Sequence, residues 1–165
     1  MNDALLAVAR AIRLLVLDVD GVLTDGRLYI SATGEEFKAF HVRDGSGLVA
    51  VQKAGVAVAI ISGRDSGAVR QRAAELGIRH VRQGVTDKAA ALDELMRETG
   101  VQAREVACVG DDTPDIPMLR KAALAVAVAD AHPSAAAVAH WVTASGGGRG
   151  AVREVCDQLL RSRAP

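Results

Sequence analysis

Three carboxylates stand close together after an apolar run near the start of the chain. Leu14–Leu17 is followed by Asp18 and Asp20, with one valine between them, and Asp25 comes soon after. A carboxylate at the end of a buried strand loses solvation unless it is paired, and two neighbouring carboxylates also repel each other. The pattern therefore predicts either a positive charge between these acids or a site whose chemistry needs them.

Polar groups also follow the later apolar runs. They comprise a hydroxyl, a glycine amide, an ammonium group and two more carboxylates, in Ser62, Gly63, Lys88, Asp111 and Asp112. Ligands of open α/β sheets bind beyond the carboxyl ends of the strands, so we expect these groups to meet Asp18 and Asp20 at one edge. Carboxylates suit Mg²⁺, whereas a hydroxyl, a glycine amide and an ammonium group can hold a phosphoryl group. Because a carboxylate can also be a nucleophile, the set predicts magnesium-dependent chemistry through an aspartyl-phosphate.

The elements that would position these residues alternate along the chain. Short apolar runs typical of strands are Leu14–Asp18, Val56–Ile61, Ile78–Val81, Glu105–Gly110, Leu124–Ala129 and His140–Thr143. Segments with helical spacing, such as Ser66–Leu76 and Lys88–Glu98, lie between them. This alternation predicts one α/β domain over residues 1–165, with a parallel sheet covered by helices on both faces.

Two segments interrupt the alternation. Arg27–His41 has the pattern of a β-hairpin, inserted between the first strand and the first long helix. Ser145–Gly150 is rich in glycine and precedes a last helix, so that residues 145–165 form a distinct C-terminal segment. The glycine run is either a plain loop or a hinge that lets the C-terminal helix reach elsewhere.

The composition argues against several classes of function. Of the 165 residues, 20 are Lys or Arg and 20 are Asp or Glu, so broad binding to nucleic acid or anionic membranes is not expected. Cys108 and Cys156 lie in apolar patterns typical of reduced core thiols. The N-terminal stretch 1–13 is amphipathic and lacks the pattern of a signal peptide or membrane span. We expect a cytoplasmic protein without nucleic-acid or membrane partners.

The order of these motifs resembles the haloacid dehalogenase superfamily of phosphatases. The resemblance is carried by DVDGVLTD (18–25), Ser62, Lys88 and GDDTPD (110–115). Within that superfamily, further segments between Leu14 and Leu160 resemble the phosphatases of 3-deoxy-D-manno-octulosonate 8-phosphate (Kdo 8-phosphate): GEEFKAFHVRDGSG, AIISGR, VAVADAHP and GGRGAVREVCDQLL. The resemblance implies a Rossmann-like fold and hydrolysis of Kdo 8-phosphate to Kdo and inorganic phosphate, a step that supplies Kdo for lipopolysaccharide.

The resemblance also implies a role for each motif residue. Asp18 would be the nucleophile, and Asp20 would protonate the leaving sugar oxygen and then activate the hydrolytic water. Mg²⁺ would be held by Asp18, the main-chain carbonyl of Asp20, and Asp111. Lys88 would bridge the phosphoryl group to Asp18. The phosphate-binding residues would be Ser62, Gly63 and Lys88, with Asp112 and Asp115 as supporting acids.

A second set of residues would contact the sugar acid. By the same resemblance, this set is His41, Val42, Arg43, Asp44, Gly45, Arg64 and Arg72. Arginine suits this role because a guanidinium can bind the carboxylate of an acid sugar through two hydrogen bonds. The sequence also departs from the superfamily in small ways. Val19 stands where many members carry phenylalanine, and Ser62 stands where relatives can have threonine.

The segments between the motifs leave no room for a cap domain. The hairpin and one helix fill the chain from Asp20 to Ser62, and one helix and one strand fill it from Ser62 to Lys88. An uncapped site is open to water, and related capless phosphatases close it by forming tetramers with their hairpins at the centre. The hairpin aromatics Tyr29 and Phe37 fit such an interface.

The tetramer hypothesis extends to two further features of the chain. Phe40 is the third aromatic residue of the hairpin, and all three could equally pack within one chain. The C-terminal segment carries Arg149 and Arg153 and could fold over an active site.

Several alternatives remain open at this point. The substrate could be another acid-sugar phosphate, such as a 9-phosphorylated nonulosonate of the sialic-acid type. A phospho-acceptor domain of the receiver type also pairs acids with a lysine, but it needs its accepting aspartate on a later strand. A catalytically silent, oligomeric binding module would keep the fold without turnover. Among single residues, Asp115 could merely cap the next helix, and Arg72 could lie on a solvated helix face.

Overall fold

The structure, a computed structural model, describes residues 3–163. Its strands are β1 (Leu14–Leu17), β2 (Tyr29–Ile30), β3 (Glu36–Phe37), β4 (Ala57–Ile61), β5 (His80–Arg82), β6 (Val106–Gly110), β7 (Leu124–Ala127) and β8 (Trp141–Val142). Its α-helices are α1 (Asp3–Ala11), α2 (Val42–Lys53), α3 (Gly67–Glu75), α4 (Lys88–Thr99), α5 (Ile116–Leu119), α6 (Pro133–Ala136) and α7 (Ala151–Arg161). The first two residues of the amphipathic stretch 1–13 lie outside this description.

Six of these strands form one parallel sheet in the order β5-β4-β1-β6-β7-β8. The central strand β1 pairs with β4 on one side and β6 on the other, so that Leu17 lies opposite both Ile60 and Val109. The carboxyl ends of these three strands are therefore neighbours. The predicted α/β fold with a parallel sheet is confirmed.

Helices cover both faces of the sheet, because every residue of β1 is buried and its side chains alternate between two cores. Leu15 and Leu17 pack on one side with residues of α2, α3 and α7. Leu14 and Val16 pack on the other side with residues of α4 and α5. Full burial of one such side chain is worth about 1.5–3 kcal/mol, so β1 is a firmly held platform for the residues that follow it. Among residues 3–163, none of the helices has the length and apolar character needed to cross a membrane.

A small antiparallel hairpin projects between β1 and α2. Its strands β2 and β3 pair Tyr29 with Phe37 and Ile30 with Glu36, and they are separate from the main sheet. The apolar side chains Leu28, Tyr29, Ile30 and Phe37 are 42–61% exposed. Phe40, the third aromatic residue of the segment, instead packs against the core of its own chain. Tyr29 and Phe37 share one face of the hairpin and Ile30 lies on the other with Glu36, so apolar side chains are uncovered on both faces.

The glycine run 145–150 packs closely against the loop that follows β1. The Gly147 amide donates to Asp130 Oδ1 at 2.9 Å, and the Gly148 amide donates to the Val22 carbonyl at 3.0 Å. A Cβ atom on Gly147 would lie 1.7 Å from the Gly21 carbonyl oxygen. These contacts favour the plain-loop interpretation of this run over the hinge, since the run is a close-packed support for the β1 loop.

Candidate active site

One open cavity of about 300 Å³ lies at the carboxyl ends of β1, β4 and β6. Its lining residues are Asp18, Asp20, Ser62, Gly63, Arg64, Val85, Thr86, Lys88, Asp111, Asp112, Pro114 and Asp115. The groups that the sequence placed after separate strands therefore share one cavity. Asp25, the third acid of the first cluster, does not line it and accepts a hydrogen bond from the Arg27 amide at 3.1 Å.

The loop after β1 makes a tight turn that holds Asp18 and Asp20 in place. The Asp18 amide continues the sheet by donating to the Val109 carbonyl at 3.1 Å. The Val19 carbonyl then accepts three main-chain amides, from residues 22, 23 and 24, at 2.9–3.2 Å. Gly21 has φ +91, and a Cβ there would lie 2.1 Å from Asp111 Oδ2. Only glycine allows this turn to approach the Asp111 carboxylate so closely.

Lys88 supplies the positive charge that the clustered acids predict. Its side chain is 5% exposed, and its Nζ lies 2.9 Å from Asp18 Oδ1 and 2.6 Å from Asp115 Oδ1. Burial alone would lower the pKa of Lys88, but the charges of the two carboxylates raise it above its ordinary value. A cation at the first position of a helix opposes the macrodipole, so these acids also explain how Lys88 can occupy the start of α4.

Asp115 joins the loop that follows β6 to Lys88. Its carboxylate is 1% exposed, and besides Lys88 it accepts the amides of Asp111 at 2.9 Å and Asp112 at 3.2 Å. Asp112 in turn accepts the Thr113 amide at 2.7 Å and caps the same turn. Asp115 therefore both caps this turn and fixes the Lys88 ammonium group beside Asp18.

The carboxylates of Asp18, Asp111 and Asp115 fit a divalent cation. One oxygen atom of each lies within 4.8 Å of the others, and Asp111 Oδ1 is buried without a hydrogen-bond partner. Burial, followed by the neighbouring carboxylate charges, raises the pKa of Asp111 to about 8. Burial and the charge of Asp115 raise the pKa of Asp18 to about 6. Because Lys88 alone does not balance these acids, a hard cation such as Mg²⁺ would relieve their repulsion.

Ser62 and Gly63 form a further corner of the cavity. Ser62 is 2% exposed, and its main chain is held by the Arg82 carbonyl at 2.9 Å and the Val85 amide at 3.1 Å. The Arg64 amide donates to Ser62 Oγ at 3.4 Å. This turn at the end of β4 presents a hydroxyl and glycine main chain to the same cavity that Lys88 lines.

The Asp20 carboxylate lies apart from the three-acid cluster and pairs with cations. Its Oδ1 forms a short ion pair with Lys38 of the hairpin, and its Oδ2 lies 3.8 Å from Arg64 Nε. Glu36 completes the group, with its carboxylate 2.8 Å from both Lys38 Nζ and Arg64 Nη2. The hydrogen bonds from Lys38 and Arg64 lower the pKa of Glu36 to about 2. Sequence reasoning missed Lys38 and Glu36, although the order Glu36-Phe37-Lys38 is a strand alternation that puts both charges on one face.

Most of the predicted sugar-contact residues lie elsewhere in the chain. Arg64 lines the cavity, but His41, Val42, Arg43, Asp44, Gly45 and Arg72 do not. Asp44 is 1% exposed and accepts the Arg153 amide at 2.7 Å, which joins α2 to the start of α7. A Cβ on Gly45 would lie 2.4 Å from Arg72 Nη2, so these two residues pack helix against helix. Within one chain, Asp44, Gly45 and Arg72 therefore contribute to the packing of α2, whereas Val42 and Arg43 are exposed outside the cavity.

Comparison with known proteins agrees with this geometry. Residues 81–154 match the family model of haloacid dehalogenase-like hydrolases. The 3-deoxy-D-manno-octulosonate 8-phosphate phosphatase KdsC of Escherichia coli K12 is 51% identical over 155 residues, which are 94% of this chain and 82% of that protein. The chain belongs to the Kdo 8-phosphate phosphatase family. The predicted superfamily is confirmed, and the receiver-type alternative is excluded.

Solved structures of the family superpose on nearly the whole chain. The phosphatase from Yersinia pestis is 47% identical with a TM-score of 0.97, and the match covers 99% of this chain and 88% of that one. The phosphatase from Moraxella catarrhalis, solved with magnesium, phosphate and KDO, is 40% identical with a TM-score of 0.96, covering 99% and 94% of the two chains. The phosphatase from Haemophilus influenzae, solved with cobalt, is 41% identical with a TM-score of 0.92, covering 94% and 91%.

Proposed function

We propose that this protein hydrolyses Kdo 8-phosphate to Kdo and inorganic phosphate, with Mg²⁺ and a covalent aspartyl-phosphate. The observation that carries the proposal is the buried arrangement of Asp18 against Lys88, with the unpartnered oxygen of Asp111 beside them. Two findings support the assignment of the substrate: the chain belongs to the Kdo 8-phosphate phosphatase family, and one relative was solved with magnesium, phosphate and KDO. The product would supply Kdo for lipopolysaccharide.

The first chemical step is transfer of the phosphoryl group to Asp18. A carboxylate oxygen of Asp18 attacks phosphorus, a new O–P bond forms, and the O–P bond to the sugar breaks. Asp20, at the outer side of the cavity, gives its proton to the departing sugar oxygen. Lys88 and the corner formed by Ser62 and Gly63 hold the phosphoryl oxygens during the transfer.

The second step removes the phosphoryl group from Asp18. The Asp20 carboxylate takes a proton from a water molecule, whose oxygen attacks phosphorus and releases inorganic phosphate and free Asp18. Asp18, Asp111 and the main-chain carbonyl of Asp20 would hold Mg²⁺, which would neutralise the charge that gathers on the phosphoryl oxygens. Asp115 and Asp112 support the loop that carries Asp111.

The sugar acid would be recognised at the open side of the cavity. Within one chain, Arg64 would supply a guanidinium for this contact, because its side chain lines the cavity and is 46% exposed. We propose that the remaining contacts form in a homotetramer, because apolar side chains of the hairpin are uncovered in a single chain. The exposed side chains of Val42 and Arg43 follow this hairpin directly and would be brought to a neighbouring subunit. Arg149 and Arg153 remain candidates for the same role.

We also propose that the reaction takes place in the cytoplasm. A phosphate ester of an acid sugar carries several negative charges and does not cross a lipid bilayer unaided. The two cysteines, Cys108 and Cys156, are buried as free thiols, which is compatible with a reducing compartment.

Phosphate release by the purified protein in Mg²⁺ tests the proposed substrate. We expect Kdo 8-phosphate to be preferred over a nonulosonate 9-phosphate and glucose 6-phosphate by several hundredfold in kcat/KM, equivalent to about 3–4 kcal/mol of transition-state binding. Preference for the nonulosonate would assign the other acid sugar. No release from any of the three, with Mg²⁺ bound, would indicate a silent binding module. Asp18→Asn is the control for contaminating phosphatases, because it should abolish release.

A further inference from the structure

Lys38 is a buried cation that the proposed mechanism leaves without a role. Its side chain is 2% exposed, although it belongs to a hairpin whose opposite face is open to solvent. Its Nζ contacts Asp20 Oδ1 and lies 2.8 Å from Glu36 Oε1. Replacing a buried ion pair by apolar side chains is often neutral or stabilising, so stability alone is a weak reason for a lysine at this position.

Two acids and two bases form a closed arrangement at the cavity edge: Asp20, Glu36, Lys38 and Arg64. Glu36 lies between the two cations, 2.8 Å from Lys38 and 2.8 Å from Arg64. Arg64 then returns to Asp20 Oδ2 at 3.8 Å. One oxygen of Asp20 is therefore fixed by the hairpin, whereas the other lies on the Arg64 side of the cavity. Rotation of the Asp20 carboxylate would break the contact with Lys38.

We propose that Lys38 is a positioning residue, which holds Asp20 Oδ1 so that Oδ2 faces the leaving oxygen of the substrate. The inference rests on the proposed function, because it assigns Asp20 as the proton donor of phosphoryl transfer. Glu36 supports the arrangement by holding Lys38 and Arg64 at a fixed separation. The hairpin thus has two roles, since it offers an apolar surface and also orients the acid in the cavity of its own chain.

The leaving group distinguishes this role from a general structural one. Proton donation matters for a sugar alkoxide or phenolate, but p-nitrophenolate is stable enough to leave without a proton. The ratio kcat/KM reports the steps up to the first irreversible one, which here is phosphoryl transfer to Asp18, so later hydrolysis does not enter the comparison. Phenyl phosphate and p-nitrophenyl phosphate have similar shapes and no carboxylate, and they differ mainly in their leaving groups.

The experiment measures kcat/KM of Lys38→Met with Kdo 8-phosphate, phenyl phosphate and p-nitrophenyl phosphate. We expect a loss of about tenfold or more with Kdo 8-phosphate, a smaller loss with phenyl phosphate, and less than about threefold with p-nitrophenyl phosphate. Lys121→Met is the matched control, because Lys121 also forms an ion pair, with Asp93 at 2.5 Å, but lies outside the cavity. Lys38→Arg keeps the charge and should recover part of the loss. Glu36→Gln should show the same order of losses, and it replaces Lys38→Met if that variant does not fold.

Each other outcome overturns the proposal. Equal losses on all three substrates would show that Lys38 only supports the fold, and no loss on any would show that Asp20 needs no such support. A loss with Kdo 8-phosphate but identical behaviour on both phenyl esters would make Lys38 a contact for the sugar carboxylate instead. Failure of the proposed function is seen separately, in the unmodified protein, as absence of Kdo 8-phosphate hydrolysis.

Discussion

Adding one methyl group at Gly147 should disturb the catalytic loop without touching a reactive atom. Gly147 lies in the glycine run before α7, and a Cβ there would stand 1.7 Å from the Gly21 carbonyl oxygen and 2.9 Å from the Thr24 carbonyl oxygen. Its backbone conformation is open to alanine, since Gly147 is not among the positive-φ residues. The cost of Gly147→Ala is therefore steric, and the loop after Asp20 must move.

The size of the effect follows from that contact. The loop would have to retreat by more than about 1 Å, and such overpacking typically costs about 1–3 kcal/mol. A displacement of about 1 Å at catalytic groups can lower activity by about a hundredfold. We therefore expect Gly147→Ala to lose about 1–3 kcal/mol of unfolding free energy, and its kcat/KM to fall by at least about tenfold.

Urea unfolding and phosphate release in Mg²⁺ measure the two effects. The matched control is Gly67→Ala, because Gly67 also lacks a positive φ and the nearest atom to its added Cβ is 3.8 Å away, on a flexible arginine. Gly67 opens α3, where alanine should be neutral or stabilising by up to about 1 kcal/mol. If Gly147→Ala kept the stability and activity of the unmodified protein, the glycine run would not support the catalytic loop.

Two further predictions concern the acid cluster. The folded-state pKa values of Asp18 and Asp111 are raised to about 6 and about 8, so in the metal-free protein these two acids bind protons more strongly than in the unfolded chain. The stability that they contribute should therefore fall as the pH rises from 4 to 8. Mg²⁺ binds the ionised acids, so the rise in Tm from EDTA to excess Mg²⁺ should be larger at pH 8 than at pH 5; an equal or smaller rise would contradict the assignment. Asp115→Asn breaks the buried contact with Lys88 and should cost about 2–4 kcal/mol in urea unfolding with Mg²⁺, against less than about 1 kcal/mol for Asp112→Asn. Equal costs would show that the Lys88 contact adds little.

The meeting of Asp18, Ser62, Lys88 and Asp111 could be predicted because it depends on topology. A parallel sheet brings the carboxyl ends of its strands to one edge, whatever the details of side-chain packing. The apolar runs were sufficient to place Asp18, Ser62 and Asp111 at or just after strand ends, and Lys88 at the start of the helix that follows a strand. Lys88 was also notable in sequence, since a cation at a helix start needs a compensating negative charge.

The hairpin network and the glycine support could not be predicted in this way. The alternation of Glu36, Phe37 and Lys38 separates two faces, but which face meets Asp20 depends on how a short hairpin tilts against the sheet. Likewise, the contact between Gly147 and Gly21 joins distant parts of the chain. Local sequence does not specify such an approach, because it is fixed only when the sheet and α7 are assembled.

The segment His41–Gly45 shows a different limit. Resemblance to relatives predicts contact with the sugar, and within one chain Asp44 also accepts the amide of Arg153 at the start of α7, 109 residues away. A motif can be shared by a family because it holds two helices together. Resemblance alone does not separate that packing role from substrate binding, since both require the same residue types.

The most direct test of the proposed mechanism is whether a phosphoryl group becomes attached to Asp18. Asp20→Asn with p-nitrophenyl phosphate and Mg²⁺ suits the measurement, because this ester needs no proton donor to react, whereas hydrolysis of the intermediate needs the Asp20 base. Acid quenching, digestion and mass spectrometry would locate the group. We predict a phosphorylated peptide containing Asp18, absent in Asp18→Asn. Turnover by the unmodified protein with no phosphorylated peptide, or with the group on another residue, would contradict the mechanism.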